Sequence, residues 1–277
     1  MKLQKIMIDA GFTCPNRDGK VGVGGCTFCR TESFSPAYCK GSVAQQIQAG
    51  KKFFEGKYPE MKYLAYFQAF SNTYAPLPIL KQRYEEALAD PDVIGIVVGT
   101  RPDCIPDDAI SYLASLQSSG TSVMVEIGVE SLYDRTLERV NRGHTTAQSI
   151  DAVKRCAKAG LPVCVHIIFG LPGETEEDIL AEADMLNELP ISNVKIHQLQ
   201  ILKDTAIAKE WEADNSDFLS FTVEEYASLV ARFIKELRAD IHVERFASSA
   251  PPSLIISPRW GLKPSEVQSI ISSKLYK

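Results

Sequence analysis

The sequence predicts an α/β fold, a partial (β/α)6 TIM-type barrel of parallel strands with a C-terminal α/β extension. Three observations carry this: six short runs rich in Val, Ile, Tyr and Phe, helical patterns between them, and the lack of any internal repeat, low-complexity tract or charge block. The 277 residues are 45% hydrophobic and 23% charged, which supplies a large core and excludes disorder as the main state.

The strand-like runs fall at 5–9, 62–68, 93–99, 122–129, 162–169 and 193–197. Helical patterns occupy 43–55, 80–89, 106–117, 132–139 with 147–159, and 174–188. Pro106 before Asp107 and Asp108 suits a first helical turn, while Gly143, and Gly160 with Pro162, suit helix ends. Repeated strand and helix in this order implies a parallel sheet with helical crossovers. After the sixth strand the pattern changes to an acidic loop around 211–217, a helix near 223–238, a strand-like 241–246 and a Ser/Pro-rich bend at 248–252. The expected division is a barrel over 1–202 and an extension packed on it over 203–277.

Thirty Lys plus Arg against 35 Asp plus Glu give a formal charge of -5, so no global basic field attracts a polyanion and any nucleic acid must use a local patch. The longest apolar run, near 93–98, is far shorter than the roughly 20 residues a membrane crossing needs. With a charged beginning to the chain, the expected address is the cytosol, with no membrane partner.

Seven cysteines stand at 14, 26, 29, 39, 104, 156 and 164, four of them in the first forty residues, which argues against a disulfide scaffold and for metal or redox chemistry there. Directly after the first strand the spacing is C-x11-C-x2-C, from Cys14, Cys26 and Cys29, with the glycine-rich Val21-Gly22-Val23-Gly24-Gly25 between. The close pair lets two thiolates reach one centre from a single turn, and the glycines let Cys14 fold back to it. Structural zinc normally takes four protein ligands and would have to recruit Cys39 or a histidine. A [4Fe-4S] cluster held by three cysteines instead leaves one iron open, and the spacing favours it over zinc. Cys39, Cys104, Cys156 and Cys164 read as ordinary buried thiols.

Charged residues inside parallel strands are informative, because both faces of such a sheet are covered. Alternation puts Glu126, Gly128 and Glu130 on one face of the fourth strand, Cys164, His166 and Ile168 together on the fifth, and Lys195, His197 and Leu199 together on the sixth. Gln68, Arg101, Glu130, His166 and His197 would then gather at the C-terminal mouth of a barrel, where active sites of such folds are built. Each alone can equally be a satisfied structural contact, for instance Glu126 with Lys195.

The stretch Ile8-Asp-Ala-Gly-Phe-Thr-Cys14-Pro-Asn-Arg-Asp-Gly through Gly24-Gly25-Cys26-Thr-Phe-Cys29 resembles the YhcC-like radical SAM family, relatives of the radical SAM core of the Elongator catalytic subunit. Further matches are Tyr66-Phe67-Gln68-Ala69, Gly99-Thr100-Arg101-Pro102-Asp103, Glu126-Ile127-Gly128-Val129-Glu130-Ser131, Asn141-Arg142-Gly143-His144 and Gly170-Leu171-Pro172-Gly173-Glu174. Most of the superfamily has C-x3-C-x2-C, so the wider first spacing belongs to this subgroup.

The resemblance implies that Cys14, Cys26 and Cys29 hold a [4Fe-4S] cluster whose fourth iron takes the amine and carboxylate of S-adenosylmethionine. Reductive cleavage then yields methionine and a 5'-deoxyadenosyl radical that abstracts hydrogen from a substrate. It further implies that Phe28 shields the cluster, Gln68 stands near the methionine amine, Glu130 meets the ribose, and Arg142 grips the methionine carboxylate, with Arg101 and Leu199 as further cofactor-binding residues. His166 would lie near the ribose, with Ile168 and the Gly170–Gly173 turn around the adenine. A flavodoxin-like or ferredoxin-like electron donor is implied, meeting the protein near Gly22 to Gly25. Some relatives act on tRNA wobble uridine, through phosphate contacts for which Lys51, Lys52, Lys57 and Lys62, or Arg259 and Lys263, are candidates here. The acetyltransferase domain of the Elongator subunit has no counterpart in this sequence. A small-metabolite substrate, or a non-enzymatic zinc-stabilised binding module, are the alternatives.

Overall fold

The computed structural model describes residues 2–30, 36–57, 60–248 and 250–275. Strand and helix alternate from β1 (Lys2–Ile8) through α1 (Val43–Phe54), β2 (Met61–Phe67), α2 (Leu77–Leu88), β3 (Val93–Thr100), α3 (Asp107–Ser118) and β4 (Ser122–Glu130). Then follow α4 (Asp134–Arg139), α5 (Thr146–Lys158), β5 (Val163–Phe169), α6 (Glu176–Asn187) and β6 (Asn193–Gln198). The remainder holds β7 (Ile201–Leu202), α7 (Ala206–Ala213), α8 (Val223–Glu236), β8 (His242–Arg245), β9 (Ile255–Ser257) and α9 (Pro264–Leu275).

All six predicted strands form and run parallel, in the order β1-β2-β3-β4-β5-β6, and β8 adds a seventh parallel strand beside β6. The strand read as part of a packed extension therefore completes the wall of the partial barrel. β7 and β9 make a separate antiparallel pair, and α7 and α9 were not anticipated from the sequence. α7 begins at residue 206, just before the stretch expected to be loop, because Thr205 caps it by accepting the Ala208 N–H.

Helix starts follow local chemistry. Ser42 with Gln45, Thr145 with Gln148, Thr175 with Asp178 and Thr222 with Glu225 each close a reciprocal cap at the heads of α1, α5, α6 and α8. The helices bury their apolar stripes on the outer face of the sheet, and Phe169 of β5 meets Phe233 of α8 edge-on at 4.9 Å. The charged strand residues collect on the inner face, beside a smaller apolar cluster of Leu64, Tyr66 and Val97.

Two buried carboxyls lie behind this wall. The Ser131 hydroxyl donates to Glu174 at 2.6 Å and lies 3.3 Å from Glu182, which also accepts the Leu132 N–H at 2.6 Å, while Oε2 of each carboxyl has no hydrogen-bond partner. Burial pushes Glu174 up to about 7, and burial together with the neighbouring Glu174 charge raises Glu182 well above the carboxylate range. A carboxyl whose folded pKa is raised contributes stability that is full below its unfolded value and is lost as pH rises through the folded one. The wild-type melting temperature should therefore fall between pH 5 and pH 8 by more than that of Glu182→Gln, which keeps the Leu132 acceptor without the charge. Parallel melting curves for the two proteins would refute this.

Candidate active site

The inner face opens into one cavity of about 230 Å³ at the C-terminal ends of the strands. Cys14, Cys26 and Cys29 all line it, as do Phe28, Gln68, Arg101, Glu130, Arg142, His166, His197, Ile168 and Leu199. Residues as distant in sequence as Cys14 and Ala250 are joined here by the strand order, whereas the Gly170–Gly173 turn, expected around the adenine, does not line the cavity.

The loop carrying the cysteines is built by close approach. Asn16 is fully buried, accepts the Gly25 N–H through its carbonyl at 2.8 Å, and donates its amide to Asn141 O at 2.6 Å and to Cys26 Sγ at 3.7 Å. Arg17 donates to Cys29 O at 3.2 Å and to Cys29 Sγ at 3.6 Å. Gly25 has a φ of +83°, and a Cβ there would lie 3.0 Å from Arg17 Nε, so the glycine lets the arginine lie over the loop. The glycines thus serve an ordered turn, where flexibility was the expectation.

Arg142 Nη1 donates to Cys26 Sγ at 3.5 Å, and its Nη2 donates to Gly128 O at 2.6 Å and lies 3.2 Å from Glu130 Oε1. A Cβ on Gly128 would meet Glu130 Oε1 at 2.6 Å and Arg142 Nη2 at 2.7 Å, so only glycine leaves room for this pair. Glu130 itself has a φ of +69°, where the β4–β5 register slips between Gly128 and Glu130. Phe70, at a φ of 62°, is likewise left-handed and lines the cavity, and two such non-glycine residues there mark strain held by a functional site. Burial raises the Cys29 thiol, the Cys26 charge adds to this, and the Arg17 and Arg142 cations oppose both.

Opposite the cysteines, Glu126 is buried among four donors: Tyr66 at 2.5 Å and His166 at 2.9 Å on Oε2, and Lys5 at 3.1 Å with Lys195 on Oε1. Burial would raise its carboxyl, but the His166 hydrogen bond and charge, with Lys195 and Lys5, hold it well below the carboxylate range. Burial lowers Lys195 despite its partner, whereas Lys5, nearer solvent, is raised by Glu126 and Glu244 against a burial penalty. The structural pairing of Glu126 with Lys195 is thus present, and His166 is engaged with Glu126.

Arg101 grips Asp103 with two bonds at 2.8 and 2.9 Å, leaving Nη1 buried without a hydrogen-bond partner. Arg142 Nε and Gln68 Oε1 are buried and unpartnered in the same way. Three such atoms around one cavity are an invitation to a polar ligand. The sequence reading missed Asn16 and Arg17, whose signal was the polar Pro-Asn-Arg-Asp run, and Ser71, Asn72 and Thr73, which tie β2 to β3. It also missed Arg245 and Ser248 of the last wall, because β8 was not assigned to the barrel.

Cys39 is half-buried and lies 3.3 Å from Met7 O, away from the cavity, while Cys104, Cys156 and Cys164 are buried. Among the described residues no three His, Cys, Asp or Glu side chains stand close enough together to hold a metal ion, Cys14, Cys26 and Cys29 included, although these three line one cavity. Cys39, which with a histidine was one of the two options for a fourth zinc ligand, does not line the cavity that holds the other three cysteines. Of the lysines considered for phosphate contacts, Lys51 is bound by Asp90 and Asp92 and Lys62 by Asp92, while Lys57 lies over the Phe53 and Phe54 rings. No described helix is long and apolar enough to cross a membrane.

Residues 14–186 match the Radical SAM superfamily, and residues 191–277 match the Radical_SAM C-terminal domain. The chain belongs to the radical SAM superfamily. It is 35% identical over 260 residues to protein YhcC of Escherichia coli (strain K12), covering 94% of this chain and 82% of that protein. It is 22% identical over 191 residues to the tRNA uridine(34) acetyltransferase of Methanocaldococcus infernus, covering 66% of this chain and 33% of that one. The solved structure of Elp3 from the same archaeon shares its fold, with a TM-score of 0.72 at 16% identity over 99% of this chain and 63% of that chain. This radical SAM chain is accordingly an enzyme of the class that works with a [4Fe-4S] cluster and S-adenosylmethionine. The residues present fit those groups: three thiols face one cavity, two of their sulfurs already receive N–H donors, and the unpartnered Arg142, Arg101 and Gln68 atoms await a polar occupant.

Proposed function

We propose that this protein cleaves S-adenosylmethionine reductively and uses the resulting radical to modify wobble uridine in tRNA. The observation that carries the first half is the convergence of Cys14, Cys26 and Cys29 on a cavity that also holds the Glu130–Arg142 pair. Cys14, Cys26 and Cys29 would hold a [4Fe-4S] cluster, which with S-adenosylmethionine would supply one-electron scission of the sulfonium and a 5'-deoxyadenosyl radical. Phe28, packed with Ile168 and Leu199, covers the cysteine turn and keeps water from it. Arg142 and Gln68 orient the methionine end, with Arg101 behind them, and the Glu130 carboxylate accepts from the ribose hydroxyls. His166, fixed by Glu126, stands beside the ribose, and Ile168 and Leu199 give the adenine an apolar wall.

Low potential, toward the bottom of the roughly -700 to +450 mV range of iron-sulfur clusters, demands a flavodoxin-like or ferredoxin-like donor. The 18–23 hairpin beside the cluster loop offers it a landing place, with Val21 and Val23 46% and 79% exposed. The tRNA assignment draws support from the tRNA uridine(34) acetyltransferase relative.

Glu130→Ala should weaken S-adenosylmethionine binding by about tenfold to a hundredfold, the loss of one or two charge-assisted bonds, while Glu130→Gln loses less. Equal KM in all three proteins would contradict the assignment. The tRNA half is tested by nucleoside profiling of tRNA from cells with and without the gene: a changed wobble uridine is expected, and an unchanged profile would transfer the activity to a small metabolite.

A further inference from the structure

The cavity wall opposite the cysteines carries a cation that the protein does not balance. Four arginines line the cavity: Arg101 is paired with Asp103, Arg142 with Glu130, and Arg17 lies on Cys29. Arg245, on β8 and in register with Lys195, has no hydrogen bond or ion pair among the described residues. The two nearby carboxylates are already saturated. Glu126 receives Lys5 and Lys195 on one oxygen and Tyr66 and His166 on the other. Glu244 receives Lys5 at 2.7 Å on one oxygen and the Asn193 amide at 2.9 Å on the other. Lys5, Lys195 and Arg245 therefore face only Glu126 and Glu244, which leaves one positive charge, on a half-buried guanidinium at the cavity.

A planar cation with a free fork, partly screened from solvent at a barrel wall, is stabilised by an anion that takes both of its donors. Its neighbours suit such a guest. Ser248 Oγ donates to Gln198 O at 3.0 Å and lies 3.1 Å from His197 Nδ1, which fixes the imidazole at the cavity. Gln200, whose amide oxygen accepts the Ala250 N–H at 3.2 Å, keeps its amide nitrogen free of any partner among the described residues. Burial, followed by the His166 and Arg245 charges, holds His197 well below the ordinary histidine range, so the ring stays neutral and adds no competing cation.

We propose that Arg245 anchors an anionic oxo group, a carboxylate or a phosphate, on the substrate that enters this cavity. This deepens the radical SAM reading and rests on it for the identity of the cavity as the place where substrate is held. Binding there leaves the rest of the substrate between Arg245 and the cysteine side, across the space where hydrogen abstraction would occur.

The test uses reconstituted full-length protein, with inorganic phosphate and acetate as probes followed by ligand-observed NMR. Saturable binding of one probe or both is expected, and which of the two binds tells phosphate from carboxylate. Arg245→Gln should weaken it by about tenfold to a hundredfold and Arg245→Lys by less, because lysine keeps the charge and loses the fork. No saturable binding of either probe to wild type, or equal binding by the folded Arg245→Gln protein, would overturn the proposal. The radical reading fails separately, by absence of 5'-deoxyadenosine from the wild-type protein, an outcome that leaves the anion titration standing.

Discussion

Cys26→Ala is expected to emerge from anaerobic reconstitution colourless and unable to form 5'-deoxyadenosine, whereas Cys39→Ala should remain brown and active. Cys26 is the most enclosed of the three thiols, with Arg142 and Asn16 both donating to its sulfur. Its loss would remove a proposed cluster ligand and leaves those donors without their acceptor, yet a side chain that small costs the fold only about 1 kcal/mol. Cys39 sits outside the cavity against the Met7 carbonyl, so its removal touches neither ligand set nor core. Iron and sulfide analysis alongside the optical spectrum separates the two variants. Loss of iron from Cys39→Ala, or its retention by Cys26→Ala, would mean that the wrong sulfurs have been assigned.

Glu126→Ala should cost about 3 to 5 kcal/mol of stability, the penalty for leaving a buried charge network without its shared partner. Lys5, Lys195, Tyr66 and His166 all converge on this one carboxylate, which joins β1, β2, β5 and β6 through β4. The isosteric Glu126→Gln should cost less, since the amide oxygen still accepts, and it exposes the charge contribution through pH. Because the folded carboxyl is held well below its unfolded value, its stabilisation is present above about pH 4.3 and lost as pH falls toward the folded value. Urea unfolding at pH 7 and pH 3 should therefore show the wild type losing its advantage over Glu126→Gln at the acid end. An advantage that is unchanged by acid would show that the lysines are neutralised some other way.

Much of this was legible because strand periodicity is blunt and reliable. The runs that became β2 to β6 are apolar on both faces, and the few charges within them, Glu126 and Lys195 above all, had to point at something polar. The β4 alternation placed Glu126, Gly128 and Glu130 on one face, and all three line the cavity in spite of the register slip that follows Gly128. What stayed hidden depended on close approach. That Gly128 exists to let Glu130 and Arg142 meet, or that Gly25 makes room for Arg17, is a matter of ångströms between residues distant in sequence. Arg245 was missed for a different reason. β8 is only four residues long and lies after a stretch of mixed helix and loop, so nothing local said it would return to the edge of β6 and complete the wall. The pairing of Lys51 and Lys62 with Asp90 and Asp92 was hidden for the same reason, since those partners are distant in sequence.

The most direct measurement is electron paramagnetic resonance of the dithionite-reduced, reconstituted protein before and after S-adenosylmethionine is added. A signal from a reduced [4Fe-4S] cluster whose shape changes on addition is the expected result, since three cysteine ligands would leave one iron open to S-adenosylmethionine. A reduced cluster indifferent to S-adenosylmethionine, or a protein that takes up one zinc and no iron, would contradict the account.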